Sequence, residues 1–156
     1  GRRAVEVSKI TRERIVEEAQ SYLGTPFAHQ GRTKGLGVDC LGLVVGVANN
    51  VGIDTSDDET NYGPNPSGTR MVASLKKHMK RVPMKIDRKP GDVALMRWGR
   101  PGHLGPPQHI AFIGSRGDHL TLIHAAGQFG KVVEHRLTAD WEPNIVAIYR
   151  RPELED

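Results

Sequence analysis

Val38-Asp39-Cys40-Leu41-Gly42-Leu43-Val44-Val45-Gly46-Val47-Ala48 is the stretch on which the fold turns. It is apolar nearly all round, a pattern shared by buried helices and buried strands. Its length favours a helix, as does the stop signal Asn49-Asn50-Val51-Gly52 behind it. Asp39 is then the N-cap, and Cys40, the only cysteine, falls in the first turn. A thiol there feels the positive end of the helix dipole, which favours the nucleophilic thiolate. Its amide, like every first-turn amide, lacks a helical partner and can serve an oxyanion. The competing reading is a small buried hydrophobe.

Upstream, Ile15, Ala19, Tyr22 and Leu23 recur at helical spacing, with Thr11 as cap. A glycine-rich loop, Gly24-Thr25-Pro26-Phe27-Ala28-His29-Gln30-Gly31, runs on through Gly35 and Gly37. Glycines 35, 37 and 42 are expected to leave room for a substrate backbone beside Cys40. Downstream, residues 54–68 read as a polar loop, and Val72, Leu75, Lys76 and Met79 mark a third, amphipathic helix. The period then changes to two, with candidate strands at 92–98, 109–114, 119–125, 131–137 and 144–150. Helices followed by strands predict one α+β domain over residues 1–156, its helices packed on an antiparallel sheet of about five strands.

Of seven histidines, five lie between 103 and 135. With Ser115-Arg116-Gly117-Asp118 as a four-residue turn, His109 and His124 stand directly opposite, their Cβ atoms about 4.5–5.5 Å apart. Such a pair suits a base and the group that orients it. It also suits zinc, with His135 or His103 as third ligand, or simply a polar sheet face.

The chain has 156 residues, 37% apolar and 5% aromatic, with a net charge of +4. One cysteine excludes an internal disulfide. The charge is spread out except at Lys76, Lys77, Lys80 and Arg81, which read as a solvated helix face without the interleaved aromatics of a single-strand binder. Neither nucleic acid nor a membrane is expected as a partner. Gly1-Arg2-Arg3 shows neither an initiator Met nor an apolar signal region.

Leu23-Gly24-Thr25-Pro26-Phe27 through Val38-Asp39-Cys40-Leu41-Gly42-Leu43-Val44 resembles the NlpC-type cell-wall cysteine peptidases. Pro90-Gly91-Asp92-Val93, His109-Ile110-Ala111-Phe112-Ile113-Gly114 and Leu122-Ile123-His124-Ala125 match later blocks in order. His29-Gln30-Gly31-Arg32 and the closing Val132-Val133-Glu134-His135 are most similar to the branch found in bacteriophage tails and phage-like particles. The similarity runs from about Ile15 to Arg151. It implies a papain-like α+β fold and a cysteine peptidase without metal or organic cofactor. The implied substrate is the peptidoglycan stem peptide, typically cut between D-γ-glutamate and diaminopimelate. Cys40 is then nucleophile, His109 base and His124 its orienting partner. Two departures stand out. Phe27 occupies the place of a Tyr whose hydroxyl is thought to help the oxyanion, and Leu41 follows the Cys where many members have Ser. Cys40, His29, Gln30, Phe27, Asp39 and His103 are the expected oxyanion or substrate-binding residues, with the loop 99–107 as a cleft wall. A tail-assembly component with little activity and a thiol acyltransferase or amidase are the alternatives. Action on the wall, outside the cytoplasmic membrane, is expected, with delivery on a phage tail alongside other tail proteins or by a removed signal.

Overall fold

The computed structural model describes residues 9–60, 62, 63, 68–100 and 102–155. Helix α1 (Arg12–Gln20) is capped by Thr11, whose hydroxyl accepts from the Arg14 amide at 3.1 Å. It buries Ile15, Val16 and Ala19. Leu23, expected on the same face, lies beyond the helix end and is exposed. Part of the glycine-rich loop is a two-residue ladder, β1 (Arg32–Thr33) against β2 (Gly37–Val38). Helix α2 (Cys40–Asn50) follows, capped by Asp39.

The glycines of α2 admit the protein's own neighbours rather than substrate. A Cβ at Gly42 would lie 2.0 Å from the Gly31 carbonyl oxygen, and one at Gly46 would lie 2.3 Å from the Tyr22 hydroxyl. Gly37 likewise faces Ala28, whereas Gly35, at φ +82°, serves a turn. Helix α3 spans Gly68–His78. Asp57 pairs with Lys77 at 2.9 Å, and Lys76, Lys80 and Arg81 are exposed. The 54–68 loop expectation falls partly outside the described residues.

Six strands form the main sheet: β3 (Lys80–Val82), β4 (Val93–Arg100), β5 (His103–Arg116), β6 (His119–Ala125), β7 (Val132–Arg136) and β8 (Ile145–Arg150), in the order β3-β8-β4-β5-β6-β7. Every pairing is antiparallel. β3 is too short and polar to show an alternating pattern, so the expected five strands become six. The helix face of the sheet, with Val93, Leu95, Ile110, Phe112 and Ile123, packs on Leu43, Val47 and Met71. The other face carries Ala94, Met96, Ala111, Ile113, Leu122 and Ile148, with Trp141 against it. Trp141 is held by a 3-10 turn, Ala139–Asn144.

Asp92, fully buried, ties the halves together. It accepts from Arg12 at 3.0 Å, from Arg150 at 2.8 and 2.9 Å, and from the Lys89 amide at 2.9 Å. The described ends also meet: Ile10 and Leu154 form a parallel bridge.

Two sequence expectations change here. Residues 99, 100 and 103–107 are strand rather than loop, because β4 and β5 continue as a bulged hairpin to the pair Arg100–His103. The β5–β6 register is also two residues from the expected one, running from Phe112–Ile123 to Arg116–His119. The turn is Gly117-Asp118, with Gly117 at φ 61°, the positive φ that a two-residue hairpin turn demands. His109 and His124 are therefore diagonal rather than opposite. An even shift preserves the face, so they still share one.

Candidate active site

The β5–β6 ladder stops at Phe112–Ile123, although β5 stays paired with β4 as far as His109 and beyond, and β6 with β7 as far as Ala125. β5 and β6 thus part at this end. Two side chains bridge the opening: His109 Nε2 lies 2.7 Å from His124 Nδ1. His135, opposite Leu122 on β7, shares their face and continues the chain, with its Nε2 2.8 Å from His124 Nε2. Its Nδ1 lies 3.1 Å from the Arg136 carbonyl oxygen. The nitrogens point at one another in sequence, not at a common centre as a zinc site requires. Among the described residues no group of three or more His, Cys, Asp or Glu side chains is arranged to hold a metal.

Aromatic rings hold this chain of imidazoles. Trp98 lies over His109 with centroids 4.5 Å apart, and Trp141 stacks on His135 at 4.5 Å. Phe129 and Trp141 meet the His124 ring edge-on. His109 is 3% exposed and His124 not at all. Burial holds His109 well below the usual histidine range, and the neighbouring His124 adds to the effect. Burial, then His135, lowers His124 to about 3. Both rings are neutral at pH 7.

Cys40 approaches the opening from the helix side. The backbone amides of Ile110, the residue after His109, of Leu41 and of Cys40 itself lie toward its sulfur. These amides favour the thiolate, but burial outweighs them. Burial, with the Asp39 carboxylate next, pushes the thiol up to about 12. The expected dipole-stabilised thiolate is thus reversed at rest, because a half-buried sulfur loses more hydration than a helix terminus returns. Among the described residues no hydrogen bond joins Cys40 to His109; their link is the Ile110 peptide.

Asp39 fixes the first turn of α2. It accepts from the Gly42 amide at 2.7 Å, the Gln30 amide at 2.8 Å, Arg32 at 3.0 Å and the Tyr62 hydroxyl. Burial, then Asp39, keeps the Tyr62 phenol protonated by raising its pKa. The side chains of His29 and Gln30, expected as oxyanion donors, meet the Tyr62 carbonyl at 3.2 and 2.7 Å. The Phe27 ring lies toward Gly127. His103 is exposed at the β4–β5 hairpin end, opposite Arg100.

Sequence reading missed Tyr62, Trp98 and Trp141. Tyr62 sat inside a stretch read as polar loop. The tryptophans carried no pairing signal, although strand alternation puts Trp98 on the face of Met96. A cleft of about 290 Å³ runs between α2, α3 and the 54–59 segment to Leu41 and Ile110. Arg70, Lys77 and Arg151 line it with Asp54, Asp57, Asp58 and Glu59, and Lys77 and Arg70 pair with Asp57 and Glu59 at 2.9 and 3.3 Å.

With helices on one face of an antiparallel sheet and a cysteine at a helix start, solved structures provide the comparison. The chain is similar to the NlpC/p60 domain of the peptidoglycan hydrolase SagA, at 23% identity and a TM-score of 0.57, over 90% of this chain and 97% of that one. The fold is that of NlpC/p60 domains. It also superposes on NlpC1 of Trichomonas vaginalis at 18% identity and a TM-score of 0.63, covering 95% of this chain and 46% of that one. A lipoprotein-like NLP/P60 protein of Staphylococcus aureus gives 16% identity and a TM-score of 0.61, over 97% and 46%. The chain spans just under half of those two proteins. No family model matches it, and no curated protein does. No helix among the described residues is long and apolar enough to cross a membrane.

Proposed function

We propose that this chain is a cysteine peptidase acting on peptidoglycan stem peptides, with Cys40 as nucleophile, His109 as general base and His124 as its orienting partner. One observation carries the reading. A helix-start thiol touches the peptide of Ile110, beside a buried histidine that is hydrogen-bonded to a second buried histidine.

His109 Nδ1 takes the thiol proton as the sulfur attacks the amide carbonyl carbon. Because thiol and imidazole are both neutral at rest, transfer and attack are coupled. The Cys40 amide offers one donor to the oxyanion. The C–N bond breaks, and the amine leaves with the proton from His109. Water, deprotonated by His109, then cleaves the thioester, and the sulfur regains its proton. The cleft ending at Leu41 and Ile110 takes the peptide. The bond between D-γ-glutamate and diaminopimelate is the expected target. Action is on the wall, outside the cytoplasmic membrane, and the phage-tail resemblance of the His29 and Val132–His135 blocks makes tail delivery the expected route.

Cys40→Ala abolishes release of peptide fragments from purified cell wall while circular dichroism stays unchanged. Turnover near wild type in the variant sinks the assignment of Cys40, whereas no release by the wild-type protein itself favours a tail-assembly component. Mass spectrometry of products separates hydrolysis, which leaves a free acid, from acyl transfer, which leaves a new amide or ester.

A further inference from the structure

We propose that His135 is a positioning residue that acts through His124 to fix which nitrogen of His109 carries its proton. The inference rests on His109 being the base, and its polarity follows from the hydrogen-bond geometry at a pH where the three imidazoles are neutral. The Arg136 carbonyl oxygen can only accept, so His135 Nδ1 donates to it at 3.1 Å. A neutral imidazole has one N–H, which leaves His135 Nε2 as an acceptor. His124 Nε2 therefore carries hydrogen and donates to it at 2.8 Å. His124 Nδ1 is then the acceptor, and His109 Nε2 donates to it at 2.7 Å. His109 Nδ1 is left as a bare lone pair, the nitrogen a base requires.

The orientation must come from the outer end. His109 and His124 are buried, so bulk water does not select their tautomers, and burial keeps both neutral. His135 is only half-buried, but its ring is fixed by stacking on Trp141 at 29° between planes. A backbone carbonyl cannot reverse its role, so a strand peptide sets the direction of three side-chain bonds.

The test is long-range ¹H–¹⁵N correlation on ¹⁵N-labelled wild-type protein at about pH 7.5, which separates protonated from bare imidazole nitrogens. Expected are protons on His135 Nδ1, His124 Nε2 and His109 Nε2, with His109 Nδ1 bare. A proton on His109 Nδ1, or on His124 Nδ1, overturns the proposal. His135→Gln keeps an acceptor for His124 and is expected to preserve the pattern. His135→Phe keeps the aromatic stack, removes the acceptor and lets His109 populate the Nδ1–H form. On wall fragments, kcat falls at least about tenfold for His135→Phe, short of the ~10⁴ that a fully wrong tautomer costs in a serine-protease triad. His135→Gln stays within about threefold of wild type. An unchanged His109 tautomer in His135→Phe, or an equal loss in His135→Gln, refutes it. The NMR reading needs no substrate. It stands or falls separately from the Cys40→Ala experiment.

Discussion

Keeping two histidines neutral inside a sheet makes the fold sensitive to mild acid. His124 titrates near 6.5 in an unfolded chain and at about 3 in the fold. Below pH 6.5 the unfolded chain therefore binds the extra proton, and stability falls as pH falls. The window runs from 6.5 down to about 3. Between about pH 8 and pH 5, His124 alone removes about 2 kcal/mol. His109, shifted in the same direction by its own burial, adds to that loss. Against a typical total of about 5–15 kcal/mol, this is a large fraction. The assay is urea unfolding at the two pH values, for wild type and His124→Gln. Carboxylates and the remaining histidines titrate in both, so the difference between the two losses isolates His124. Wild type should lose about 2 kcal/mol more than the variant. Equal losses would refute the claim that His124 is held neutral by burial.

Cys40 should react slowly with iodoacetamide at neutral pH, with an inflection well above the ordinary thiol value of ~8.5, because burial pushes it up to about 12; an inflection below 8.5 would mean a resting thiolate–imidazolium pair instead. Asp92→Ala leaves Arg12 and Arg150 without their shared carboxylate and should cost about 3–5 kcal/mol in urea unfolding; a loss under about 1 kcal/mol would reduce Asp92 to an ordinary surface ion pair. Gly46→Ala forces a methyl onto the Tyr22 hydroxyl and should cost about 1–3 kcal/mol. Adding Tyr22→Phe should recover part of that, and strict additivity in a double-mutant cycle would argue against the clash.

The Asp39–Cys40 helix start was legible because capping chemistry and an apolar run point the same way. The common face of His109 and His124 was legible because strand alternation survives an even register error. The register itself was not, since a two-residue turn at Gly117 and a four-residue turn over 115–118 read alike in polar, glycine-bearing sequence. The parting of β5 and β6 has no local signature. It arises because each strand keeps a different outer partner. Tyr62 was invisible for a related reason: its role depends on a contact with Asp39, 23 residues away, which no period encodes. Thiol ionisation misled because a dipole is local and readable, whereas burial is a property of the assembled fold.

The bridge between Ile10 and Leu154, backed by Ile10 N–H to Glu153 at 3.0 Å and Glu155 N–H to Ile10 at 2.8 Å, has a consequence for engineering. Sequence fused at either side starts from one corner of the domain, so two tethers would leave as neighbours rather than from opposite poles. A short glycine linker from residue 155 back to residue 9 should therefore allow the chain to be reopened at the Gly117-Asp118 turn. Such a rearranged chain would begin on β6 and still bring His124, His135 and His109 to the same opening.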